Sequence, residues 1–182
     1  MKIVSTLPKK NIHRKRCSIL EQKLSFVCMA IEIYTDGAAK GNPGPGGYGA
    51  LLRFKGLEKE LSQGFRKTTN NRMELLAVIV ALEALKSNKH KVTIYSDSKY
   101  VVDAVEKGWV FNWQKKGFKG KKNVDLWKRY LEVHKIHSPK FVWVKGHAGH
   151  AENERCDQLA VKAAEGSNLL IDEGFEEVMN DQ

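Results

Sequence analysis

Four carboxylates in this chain stand where chemistry accounts for them better than stability does. Two close a repeated phrase. Residues 33–37 read IYTDG and residues 94–98 read IYSDS, each a strand-like run ended by an aspartate, Asp36 and Asp97. Glu74 is stranger: counting by fours, it opens a helical stripe continued by Val78 and Leu82, an apolar face where an unpaired glutamate is costly. Asp157 flanks the packed side of a predicted last helix and shares a face with Asn153. Read singly, these are two turn formers, a salt-bridge partner and a surface charge. Read together, four acids converging on one place would repel and raise one another's pKa. Hard divalent cations remove that conflict, and all-oxygen ligation suits Mg²⁺ or Mn²⁺. The expectation is therefore a shared pair of ions, an arrangement that serves in-line displacement at phosphorus.

The elements that must position these acids follow from periodicity. Residues 31–36 alternate with period two, and strand candidates at 48–55 and 58–65 complete an antiparallel meander, with the Gly/Pro-rich KGNPGPGGYG (40–49) as a loop. Residues 68–87 switch to helical period, with Leu75, Val78, Ile79, Leu82 and Leu85 as one stripe and Thr69 or Asn70 as cap. A strand (91–97), a helix (98–108, ended by Gly108), a helix (124–136), a fifth strand (140–146) and a helix (151–165, ended by Gly166) complete the set. Strands first, then β-α-β-α alternation, predict an α/β fold: a mixed five-stranded sheet, three antiparallel strands then parallel ones, with helices on both faces. Parallel neighbours at 31–36 and 91–97 would deliver Asp36 and Asp97 to one sheet edge.

Charge divides the 182 residues into three parts. Residues 1–28 carry a net +6, residues 29–165 a net +9 and residues 166–182 a net −5. The central part is long enough to bury a core, and its positive balance favours a polyanionic partner. Residues 1–28 read as a poorly ordered basic extension, or as an upstream start with Met29 opening the functional chain. Residues 166–182 read as an acidic solvated tail or a short docking helix. Three cysteines are too few for a secreted disulfide framework, and no apolar run reaches membrane-spanning length, so a cytoplasmic protein without membrane attachment is expected. GNPGPGG lacks the Lys-Ser/Thr of a P-loop and opens no helix, which argues against a nucleotide cradle.

IYTDGAAKGNPGPGGYGA, TTNNRMEL, IYSDSKYV, NVDLW and VKGHAGHAENERCDQLA occur in an order and spacing that resembles type 1 ribonuclease H over residues 30–165. The resemblance implies the ribonuclease H-like sheet and hydrolysis of the RNA strand of RNA–DNA hybrids with little sequence preference, leaving 5′-phosphate and 3′-hydroxyl ends. It implies two Mg²⁺ ions, with Mn²⁺ as a possible substitute, held by Asp36, Glu74, Asp97 and Asp157. Asp36 would bridge the ions, Asp157 would help hold the one beside the attacking water, and Glu74 and Asp97 would hold the other. His147, in the glycine-flanked KGHAGHAE, would assist proton movement and product departure. Zinc on His147, His150 and Cys156 is the rival for that histidine and lacks a convincing fourth ligand.

Substrate grip is expected from Asn42, from Thr69, Asn70 and Asn71 at a helix N-terminus that favours phosphate, and from Asn153. Residues 107–122 hold six lysines among Trp109, Phe111, Trp113 and Phe118. By the resemblance this is a basic handle on the hybrid's DNA side, with Trp109, Trp113, Lys115, Lys116 and Lys119 as contacts. The handle is shorter than in familiar bacterial members, and Lys99 stands where many relatives carry glutamine, which makes that contact ionic. Residues 1–30 leave no room for a separate hybrid-binding domain. A monomer without an obligatory protein partner is expected. A transposase-like or junction-resolving nuclease is the nearest enzymatic rival, opposed by TTNNRMEL and the handle. A non-catalytic nucleic-acid binder is opposed by four acids beside phosphates.

Overall fold

The computed structural model describes residues 30–146 and 148–180. Six strands form one mixed sheet in the order β5-β4-β1-β2-β3-β6. Strands β1 (Ile31–Ala39), β2 (Gly44–Phe54) and β3 (Leu57–Thr68) are the antiparallel meander, and β4 (Val92–Ser96) and β5 (Lys140–Trp143) extend it in parallel beyond β1. The expected five strands become six because Leu169–Leu170 (β6) pairs in parallel with Gly64 and Phe65 of β3. Two residues carry no periodicity, so such a strand is silent in sequence.

The other correction concerns the glycines. Residues 44–49, expected within a loop, belong to β2. A Cβ on Gly47 or Gly49 would come within 3 Å of the backbone of the last long helix, α5 (Ala151–Ala164), and Gly64 of β3 is in the same position. These glycines are thin so that the helix can lie directly on the sheet, and no turn requires them.

On the opposite face lies α1 (Asn70–Glu83). It is buried on nearly every side, from Arg72 to Ile79 and again at Ala81 and Leu82, because α4 (Val124–His137) covers the flank turned away from the sheet. The single stripe read from sequence therefore understates its burial. Trp127 and Tyr130 of α4 are fully enclosed together with Leu75, Ile79, Leu82, Ile33 and Ile94, and each such side chain contributes roughly 1.5–3 kcal/mol through burial. Two short helices, α2 (Lys99–Glu106) and α3 (Trp109–Lys115), connect β4 to α4, joined through Gly108 at φ +71°. Among the described residues no helix is long and apolar enough to cross a membrane.

The acidic C-terminal segment contains β6 and a final helix, α6 (Glu173–Asn180). Asp172, between them, meets a buried guanidinium. Arg72 donates from Nε and Nη2 to Asp172 (2.7 and 2.6 Å) and from Nη1 and Nη2 to Asp125 of α4 (2.9 and 2.6 Å), and Thr68 Oγ1 donates to Asp172 at 2.6 Å. A guanidinium this deep persists only when paired. This cluster joins α1, α4 and the C-terminal segment.

Candidate active site

The repeated IYTD and IYSD phrases turn out to be aligned neighbours. In the parallel β1–β4 pair, Ile33 faces Ile94, Tyr34 faces Tyr95 and Thr35 faces Ser96. The tyrosine rings stack with centroids 4.8 Å apart and planes 13° from parallel. One residue further on, both chains reach their aspartates, so the echo is a register match that sets Asp36 beside Asp97.

Glu74 arrives from the other side, in the first turns of α1. Its approach depends on Gly37, since a Cβ there would sit 2.2 Å from the Glu74 backbone nitrogen. Strand and helix thus touch main chain to main chain at the residue following Asp36. Ligand oxygens of Asp36, Glu74 and Asp97 lie within 4.8 Å of one another. Asp36 is 7% exposed and Glu74 8%, while Asp97 is half-buried.

Such crowding has electrostatic consequences. Burial first, then the charge of Asp97, pushes the Asp36 carboxyl up to about 7 against the pull of the Gly37 amide, and Asp157 adds to the rise. Burial, Asp36 and Asp97 hold Glu74 well above the usual carboxylate range. Asp157 of α5 therefore lies near enough for its charge to act on Asp36, although it falls outside the three-acid group.

The hydrogen bonds around the group engage one oxygen of each acid. The Gly37 N–H donates to Asp36 Oδ1 (2.7 Å), Asn70 Nδ2 to Glu74 Oε1 (3.1 Å) and Asn153 Nδ2 to Asp97 Oδ2 (3.4 Å). Glu74 Oε2 is buried with no partner among the described residues. An orphaned carboxylate oxygen facing two further acids is suited to holding a cation. Oxygen-only donors with free lone pairs fit a hard divalent metal.

Two residues that the sequence reading passed over secure Asp97. Trp143 Nε1 donates to the Asp97 backbone carbonyl at 3.0 Å. Gly146 lies so close that a Cβ would stand 2.3 Å from Asp97 Oδ2. Trp143 sits opposite Ser96 across β4–β5, a long-range pairing with no local signal.

The remaining expected residues fall around this group. Thr69 is the N-cap of α1 but makes no side-chain cap bond, and neither does Asn70. Asn42 corrects that expectation: its Oδ1 accepts the Asn70 N–H at 3.3 Å, because the β1–β2 connection passes over the helix end. Asn71 is exposed, and Asn153 is buried beside Asp97. Lys99 places its Nζ 5.0 Å from the centre of the half-exposed Trp143 ring. In the handle, Phe118 and Trp113 are the anchors: Phe118 is buried and Trp113 meets Trp127 edge-on at 5.6 Å. Trp109 remains 43% exposed with Lys107 over its ring, and Lys115, Lys116 and Lys119 are exposed. The zinc alternative loses its thiolate, since Cys156 is enclosed, donates to the Tyr34 carbonyl at 3.3 Å and is pushed up to about 12, chiefly by burial. His147 lies outside the described residues.

Comparison with known proteins agrees with this geometry. The RNase H family model matches residues 29–165. A protein of Desulforamulus reducens named Ribonuclease H is 60% identical over 147 residues, covering 78% of this chain and 92% of its own length. One of Rippkaea orientalis, with the same name, is 55% identical over 149 residues, covering 79% and 91%. Among solved structures, LC9-RNase H1, described as a type 1 RNase H with the type 2 active-site motif, matches with a TM-score of 0.68 and 36% identity over 82% of this chain and 80% of that one. LC11-RNase H1 in complex with RNA/DNA hybrid matches with a TM-score of 0.58 and 29% identity over 74% and 96%. Family model, relatives and fold lead to one conclusion: the chain belongs to the ribonuclease H family.

Proposed function

We propose that this protein cuts the RNA strand of RNA–DNA hybrids internally, with little sequence preference, leaving 5′-phosphate and 3′-hydroxyl ends. The observation that carries the reading is the buried group of Asp36, Glu74 and Asp97, with one glutamate oxygen unpartnered and two carboxyls pushed upward. With Asp157 these residues would hold two Mg²⁺ ions, for which Mn²⁺ can substitute. Bound there, such a pair supplies activation of a water and stabilisation of the leaving oxygen in an in-line displacement at phosphorus.

The chain's own contribution is preorganisation. Gly37, Asn70 and Asn153 orient one oxygen of each acid and leave the other for the cation. Asp36 sits centrally, with Asp97 on one side, Glu74 against its following residue and Asp157 within electrostatic reach, which suits a bridging role. The positive end of the α1 dipole, with Thr69, Asn70, Asn71 and Asn42, favours a phosphate of the scissile strand. Trp109, Lys115, Lys116 and Lys119 would grip the DNA strand from a handle seated through Trp113, and Lys99 would add a further substrate contact. His147 would move a proton and speed product departure. A hybrid's A-form-like shape and 2′-hydroxyls, and not its sequence, are what such a surface reads. A cytoplasmic location, supported by the sparse cysteines, and action as a monomer without an obligatory protein partner complete the proposal.

The test is Mg²⁺-dependent cleavage of a uniformly labelled RNA–DNA hybrid beside single-stranded RNA, double-stranded RNA, duplex DNA and branched DNA. Cleavage of the hybrid's RNA alone, lost in Asp36→Asn with hybrid binding retained, is the expected result. Near-parental turnover in Asp36→Asn ends the metal assignment, and preference for branched DNA ends the substrate assignment.

A further inference from the structure

The carboxylates occupy the end of the sheet where the parallel strands β1 and β4 finish. At the opposite end, where β4 and β5 begin, an open cleft of about 370 Å³ lies between the segment entering β4 and the end of α4. Lys89, His90, Lys91, His137 and Lys140 line it, and no acid does. The sign is uniform well beyond the lining: residues 84–96 and 133–151 contain no aspartate or glutamate.

Two details show that the lysine charges are uncompensated, and a third that the cleft lacks a partner. Among the described residues Lys89, Lys91 and Lys140 form no ion pair, in contrast to Lys40, Lys107 and Lys135. Glu106, at the end of α2, is committed to the Phe141 amide at 2.9 Å and does not line the cleft. His137 Nδ1 is buried without a hydrogen-bond partner, and buried polar atoms in that state call for an unseen one. His90 is seated 4.5 Å from the Phe54 ring, which fixes one side of the mouth. Like charges lining one cleft repel unless an anion joins them, and lysine binds phosphate as a point charge.

We propose that this cleft binds backbone phosphates of a nucleic-acid strand, at a segment other than the one held at the carboxylates. The five residues of β4 separate the two ends by roughly 16 Å at about 3.3 Å per residue, and the ends face away from each other. A duplex seated on Asp36 therefore leaves the cleft free for a flanking single strand. The choice of nucleic acid as the polyanion rests on the nuclease reading; the cleft and its charge do not.

The experiment uses the full chain, isotopically labelled and free of divalent metal, titrated with single-stranded DNA and separately with inorganic phosphate. DNA is expected to shift amides at residues 88–93 and 137–140, in addition to those of the handle. In Lys89→Ala/Lys91→Ala/Lys140→Ala those cleft shifts should need roughly 100-fold more DNA at 0.1 M salt, from three contacts at about 0.7 each in the salt exponent. The melting temperature, and kcat and KM on a short hybrid, should stay at parental values, because none of the three lysines belongs to the catalytic or handle surface. DNA shifts confined to the handle and the carboxylate rim, or cleft shifts that the triple substitution leaves intact, overturn the proposal. A response to inorganic phosphate with none to DNA also overturns it, reducing the cleft to a free-anion site. Absence of hybrid cleavage by the parent chain, alongside cleft shifts that the triple substitution abolishes, would instead count against the nuclease reading alone.

Discussion

Replacing Asp172 by asparagine isolates the contribution of the C-terminal segment to the domain. The Arg72 side chain is 3% exposed and the Asp172 side chain 8%, whereas Asp125, on the other side of the guanidinium, is 41% exposed. Neutralising Asp172 leaves a buried cation with only its outer partner, and breaking a buried pair from one side costs about 3–5 kcal/mol. Because Asp125 persists, the lower figure applies, about 3 kcal/mol. A domain of this size loses about 3 °C of Tm per kcal/mol, so a thermal melt followed by circular dichroism at pH 7 should fall by about 9 °C. Asp125→Asn provides the internal control, since a pair open to solvent is worth about 1 kcal/mol or less. Burial alone would raise the Asp125 carboxyl, but the hydrogen bonds and charge of Arg72 overcome it and hold the group below its ordinary value. That share of stability is present at neutral pH and lost as pH falls through the lowered value, so the Asp125→Asn deficit should shrink in acid. If Asp172→Asn costs no more than Asp125→Asn, the burial argument is wrong and the segment is an ornament of the fold.

Other perturbations separate catalysis from stability. Asp36 titrates near 7 in the fold and near 3.8 unfolded, so the metal-free protein loses stability as pH rises from about 4 to about 7. Metal-free Asp36→Asn should therefore melt above its metal-free parent at pH 8 and match it at pH 4; a lower melt at pH 8 contradicts the crowding. Trp143→Phe keeps the ring but deletes the donor to the Asp97 carbonyl, and about 1 kcal/mol of lost orientation should lower kcat roughly fivefold at constant KM. An unaltered kcat would remove Trp143 from the site. Gly146→Ala forces a methyl against Asp97 Oδ2 and should weaken Mn²⁺ binding, read by calorimetry, with little change in Tm. Lys115→Ala/Lys116→Ala/Lys119→Ala should raise KM more than it lowers kcat and reduce the salt slope of hybrid binding by up to about 2.7. An unchanged slope would detach the handle from the substrate.

Much of the site is legible in sequence because its acids lie at places where period and chemistry conflict. Asp36 and Asp97 end matching strand phrases, and Glu74 interrupts an apolar stripe, so each announces itself locally. What holds them is not local. The Trp143 bond to Asp97 and the approach of Gly146 depend on β5 pairing with β4, and Gly37 matters only once α1 lies against β1. The GPGGYG stretch at 44–49 carries an ordinary loop composition, and only the weight of α5 on the sheet explains Gly47 and Gly49 as strand residues. Likewise Arg72 reads as a helix-surface charge until Asp172, a hundred residues on, reaches it.

The missing side chain at Gly37 has a further consequence for how far apart two of the acids stand. Because main chain meets main chain there, the gap between the first aspartate and the glutamate behaves as a fixed calliper. Trimming or enlarging neighbouring core residues leaves that gap alone, whereas shifting it requires moving a whole helix. The spacing of these two acids is thereby built into the backbone, beyond the reach of most single substitutions.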